Sequence, residues 1–125
     1  MSPKSGLTET SWNNIKAEMR HILIGLARLG QTIYYSELAA QIQTATIHHR
    51  APAFDHILQA LAADEEAAGH PMLAVLVVNK QTGRCGAGFF RHAAALGHDI
   101  SDPEGFWRAE FERVCDYWQN VEDSL

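Results

Sequence analysis

The chain has 125 residues, 46% of them hydrophobic, and a formal net charge of −5. That length suits one domain with an ordinary apolar core, and the acidity argues against a generic nucleic-acid binder, because gripping phosphates takes Lys and Arg. Two cysteines, Cys85 and Cys115, stand outside any CxxC arrangement, which excludes a disulfide framework and a zinc ribbon.

Residues 1–10, "MSPKSGLTET", are polar and read as a loose start with no apolar signal-peptide core. The longest apolar run, "PMLAVLVV" (Pro71 to Val78), is too short for a membrane span, so a cytoplasmic protein is expected. Trp12, Ile15, Met19, Ile22, Leu23, Leu26 and Leu29 follow helical spacing and predict a helix over 11–29, with Gly30 as its C-terminal cap. Thr32 to Tyr35 are β-branched or aromatic and predict a short strand. Ser36 then suits an N-cap, and Leu38 and Ile42 mark one face of a short helix.

"TATIHHRAP" is a connector, and Pro52 fits the first turn of the next helix. Phe54, Ile57, Leu58 and Leu61 give that helix an apolar stripe running to about Ala68, before Gly69. Met72 to Val78 are continuously apolar and predict a strand covered on both faces. "NKQTGR" (79–84) reads as a turn and "CGAGFF" (85–90) as a returning strand, while "RHAAAL" (91–96) forms one or two helical turns. The last helix begins where Pro103 follows Ser101, with Glu104 at capping-box spacing, and carries Trp107, Phe111, Val114, Cys115 and Trp118.

This order predicts an α+β, winged-helix-like fold. It has three helices, a small antiparallel sheet with a β-hairpin wing, and an added C-terminal helix. A single domain spans 11–119, followed by an acidic tail at 120–125. The stretch "GQTIYYSELAAQI" (Gly30 to Ile42) resembles the segment that opens the DNA-binding domain of alkyltransferase-like proteins, within the winged helix-turn-helix superfamily. The resemblance covers roughly residues 29–78 and implies a DNA-binding role. The family's Pro-Cys-His-Arg motif is missing here, so alkyl transfer does not come with it.

In a helix-turn-helix the start of the second helix reaches the major groove. His48, His49, Arg50, His56 and Gln59 are therefore the candidate groove contacts, with Arg50 suited to guanine or phosphate. Asp55 on the same helix works against them by repelling phosphate. Lys80 and Arg84 bracket the expected wing tip, where basic side chains suit the phosphate backbone. The charge distribution permits this: residues 1–60 hold five basic and four acidic side chains, and 61–125 hold five and eleven. The acids cluster at 64–66 and from Asp99 onward, which leaves room for a local basic face.

Other chemistry finds less footing. Of seven histidines, His48 and His49 are adjacent and expected to point apart, and no HExxH or zinc-finger spacing exists, so no metal and no cofactor is expected. Arg84 beside Cys85 favours a thiolate, but a catalytic cysteine also needs a base and an oxyanion site. "GAGFF" has too few glycines for a nucleotide fingerprint. The expectation is a binding protein, not an enzyme: a DNA-binding regulator or accessory factor of a DNA-processing system, bacterial in style, with double-stranded DNA as partner. The alternative is an acidic partner-binding protein of the immunity, inhibitor or adaptor type, whose last helix (Glu104, Glu110, Glu112, Asp116) meets a basic protein. A homodimer through the first or last helix would supply two half-sites.

Overall fold

The computed structural model describes residues 8–121. The loose start lies outside the described residues up to position 7, and the acidic tail from position 122. Thr8 opens the first helix, α1 (Glu9–Leu29), its Oγ1 accepting the Ser11 N–H at 3.0 Å. This supplies a partner for one of the free amides of the first turn. Ile15, Met19, Leu23 and Ala27 form the buried stripe of α1. Gly30 ends it at φ 69°, a left-handed conformation that a glycine adopts without strain.

The chain continues through β1 (Ile33–Tyr34), α2 (Tyr35–Gln41) and α3 (Pro52–Ala67). A 3-10 turn (Leu73–Leu76), β2 (Val77–Val78), α4 (Ala87–Ala95) and α5 (Pro103–Asn120) complete it. α1 packs against α3, α5 and the 3-10 turn, so the first helix forms the spine of the core.

Two sequence expectations are corrected here. The sheet is not antiparallel and there is no hairpin wing among the described residues. β1 and β2 pair in parallel, Ile33 beside Val77 and Tyr34 beside Val78, in a two-stranded sheet. Parallel neighbours need a long crossover, and α2 and α3 supply it. The winged-helix-like α+β architecture therefore gives way to a mostly helical fold of five helices with a minor sheet.

The physical reason lies in two segments. The run Met72 to Val78 is buried throughout, and complete burial erases the periodicity that separates a strand from a tight turn. Most of it winds as the 3-10 turn. The segment 85–90 does not return as a strand, because Gly86 caps α4 and Phe89 and Phe90 belong to its first turns. Phe89 and Ala93, four apart, are its buried face.

Two buried carboxylates join the helices. Glu65 of α3, 3% exposed, accepts from Arg20 Nε of α1 at 2.7 Å and pairs with His70 Nδ1 at 2.9 Å. Glu110 of α5, 2% exposed, accepts the Met72 N–H at 2.8 Å and pairs with Arg113. Each is satisfied by charged or backbone donors, as burial of a carboxylate requires. No helix among the described residues is long and apolar enough to cross a membrane.

Candidate nucleic-acid interface

The connector between α2 and α3 is fixed at three points. Ile42 and Ile47 are buried. Between them, Glu18 of α1 accepts the Gln43 N–H at 2.7 Å and the Thr44 N–H at 2.9 Å, with the Thr44 hydroxyl also donating to it. These donors, the Gln43 amide first, hold the Glu18 carboxyl below its ordinary range. Beyond Ile47 the chain turns outward. His48 Nδ1 accepts the Arg50 N–H at 3.0 Å, and the His48 carbonyl accepts the Ala51 N–H at 3.0 Å. The expectation that His48 and His49 point apart is corrected, since the rings stack at 4.6 Å with 21° between planes.

Because the strands are parallel, both C-terminal ends open on the same side. One leads into α2 and the other into the Asn79–Arg84 loop. That loop is closed by the Asn79 N–H to the Arg84 carbonyl at 3.0 Å, and by Thr82, whose amide and hydroxyl both donate to Asn79 Oδ1. A surface cleft of about 340 Å³ lies there, lined by Tyr34, Tyr35, Ser36, His49, Arg50 and Lys80. Asn79 and Gln81 complete the rim.

His49, Arg50 and Lys80 are thus neighbours although thirty residues separate them in sequence. Lys80 Nζ sits 5.7 Å from the Tyr34 ring centroid. Partial desolvation, and then the positive fields of His48, Arg50 and Lys80, hold His49 below its ordinary value. No carboxylate lines the cleft among the described residues, and Glu37 accepts the Tyr34 N–H through Oε1 at 3.1 Å.

The pattern of ion pairs singles this face out. Lys16 pairs with Asp64, Arg20 with Glu65, Arg84 and Arg108 with Glu104, and Arg113 with Glu110. Among the described residues, none of the ion pairs involves Arg50, Lys80 or Arg91. Most described cations outside the cleft are therefore ion-paired, and those of the cleft are not.

The remaining sequence candidates fall into different places. His56 is exposed one turn into α3. Gln59 is half-buried and donates to Asp55 Oδ2 at 2.6 Å. Asp55 and Gln59 line a small cavity of about 20 Å³ with Tyr35, Phe89 and His92, on the α4 side of the helix. Asp55 is thus turned toward α4 and does not line the cationic cleft. Arg84 is fully engaged: its guanidinium grips Glu104 at 2.6–3.1 Å and lies 4.2 Å from the Trp107 ring centroid. It braces the loop that presents Lys80.

Tyr34 and Tyr35, absent from the sequence candidates for DNA contact, line this site. Tyr35 Oη accepts the Gly86 N–H at 3.0 Å, tying α2 to α4, and burial pushes its phenol up to about 12. The alternation of "IYY" was the available signal, since a strand that buries Ile33 must turn Tyr34 outward.

Cys85 is buried with Sγ directed at the Val75 carbonyl, 3.4 Å away. Burial pushes its thiol up to about 12, outweighing the Arg84 charge. In a Cys115→Ser background at pH 8, Cys85 is therefore expected to react with a disulfide reagent far more slowly in the native state than after unfolding in urea. Equal rates would show a reactive thiol. Among the described residues, no group of three or more His, Cys, Asp or Glu side chains could hold a metal ion. No protein family, curated protein or solved structure matches the chain.

Proposed function

We propose that this protein binds double-stranded DNA through the face formed by His48, His49, Arg50 and Lys80, where the connector between α2 and α3 meets the Asn79–Arg84 loop, with His56 of α3 as a further contact. The observation that carries the reading is the uncompensated cation cluster. On a chain of net charge −5, Arg50 and Lys80 stand together without carboxylate partners while most described cations are paired. Unpaired basic side chains release counterions when they meet phosphate and give up no internal ion pair in doing so.

The local geometry adds to this. α3 begins beside the cluster with Pro52 in its first turn and no side-chain cap on its N-terminus. Its dipole therefore adds positive potential on the same side. In this reading the exposed His56 meets base edges, and the stacked imidazoles of His48 and His49 offer N–H donors to an anion. Arg84 contributes by holding the Asn79–Arg84 loop against α5, which keeps Lys80 in position.

A basic protein partner seated on α5 has less support. Glu104 and Glu110 are already committed to Arg84, Arg108, Arg113 and the Met72 amide. The test is a map of amide chemical shifts as duplex DNA is added at low salt. Shifts are expected at His48–Arg50, His56 and Lys80–Thr82. Shifts confined to α1 and α5 would refute the reading.

A further inference from the structure

Tyr34 is the one aromatic side chain on the cationic cleft that stands exposed. It is 37% exposed, and only it and Leu29, at 68%, are large apolar side chains left so open among the described residues. The strand alternation turns its ring outward. Its backbone pairs with Val78 in the sheet and donates its N–H to Glu37. The ring forms a wall of the cleft and lies beside Lys80. A face that reads only phosphates has no use for such a ring.

We infer that the cleft is a single-nucleotide subsite for an unpaired base, which stacks on Tyr34 while its phosphate rests against Arg50 and Lys80. This rests on the nucleic-acid reading above and adds the form of the substrate. Binding without sequence preference to single strands combines a cationic groove with an aromatic platform, because every base has a π face. A base inside a duplex shows that face only to its stacking neighbours and cannot reach Tyr34. The volume, about 340 Å³, lies at the small end of the range for ligand pockets, roughly 300–1,000 Å³, and so suits one nucleotide and not a run of them. Asn79 Oδ1 is occupied by Thr82, which leaves the Asn79 side-chain NH₂, with the Gln81 amide, to meet a base edge. The Lys80 stem is flexible, so the ammonium can leave the ring for the phosphate as the base arrives.

The test uses the full chain, a labelled thymine-rich single strand, the matching duplex, and a single strand carrying one 2-aminopurine. The single strand is expected to bind about tenfold more tightly than the duplex. Tyr34→Leu should abolish that preference and Tyr34→Phe should keep it, with the thermal unfolding of both variants unchanged. The 2-aminopurine fluorescence should be quenched by the unmodified protein and not by Tyr34→Leu. If single strand and duplex bind alike, or Tyr34→Leu changes nothing, the subsite is overturned while the duplex interface stands. If neither oligonucleotide binds at low salt, the nucleic-acid reading falls as well.

Discussion

Replacing Arg50 and Lys80 together with alanine is expected to weaken duplex DNA binding by more than about tenfold at low salt, since each charge-assisted contact contributes about 1.5–3 kcal/mol. The same change should flatten the dependence of log affinity on log salt by roughly 1.8, because each lost phosphate contact removes about 0.9 from the slope. Neither side chain takes part in an ion pair among the described residues. The substitutions therefore break no internal ion pair, and stability should stay within about 0.5 kcal/mol of the unmodified protein. Fluorescence anisotropy across a salt series, with a thermal melt of each variant, separates the two effects. Loss of affinity accompanied by loss of fold would mean that the side chains hold structure and not phosphate.

The second large effect is expected at Trp107. Its ring is buried, its Nε1 donates to the Val75 carbonyl at 3.1 Å, and it stacks on Phe111 with centroids 5.2 Å apart. Arg84 covers its face. Trp107 therefore couples α5 to the 3-10 turn and to the loop that carries Lys80. Trp107→Ala should destabilise the protein by about 3–5 kcal/mol, through lost burial and the cavity left behind. Trp107→Phe keeps most of the packing and loses the hydrogen bond, at a cost of about 1 kcal/mol from that term. Urea unfolding measures both. Folded Trp107→Phe should bind DNA as the unmodified protein does, since the tryptophan lies outside the interface. A Trp107→Ala variant as stable as the unmodified protein would show that α5 does not depend on this anchor.

Both effects depend on features that differ in how plainly the sequence displayed them. Helix α1 was legible because its apolar stripe has a clear period and Gly30 follows it. α3 was legible from Pro52 and the Phe54–Leu58 spacing. α5 was legible from Pro103, although the cap is Asp102, whose side chain accepts the Gly105 N–H at 3.1 Å, and not Ser101. The sheet was illegible because two residues per strand carry no pattern of their own, and only tertiary position decides which neighbour they meet. For α4 a signal existed. Phe89 and Ala93 sit at helical spacing, but the glycines before them read as strand punctuation.

The candidate site was half legible. His48, His49 and Arg50 could be read as a connector entering a helix, and Lys80 as a basic turn. That they share one cleft depends on the parallel pairing of Ile33 with Val77, a long-range fact that no local window contains. The opposite fates of Lys80 and Arg84, one unpaired and one clamped by Glu104, depend on where α5 begins to pack. Local sequence treats the two as equivalent.

The most direct measurement is the affinity of the unmodified protein for duplex DNA of mixed sequence as salt is raised from low ionic strength. The expected result is a measurable complex whose log affinity falls with log salt at a slope between roughly −2 and −4, the signature of two to four neutralised phosphates. No complex at low ionic strength, or one indifferent to salt, would mean that the unpaired cations beside Tyr34 do not serve to hold nucleic acid.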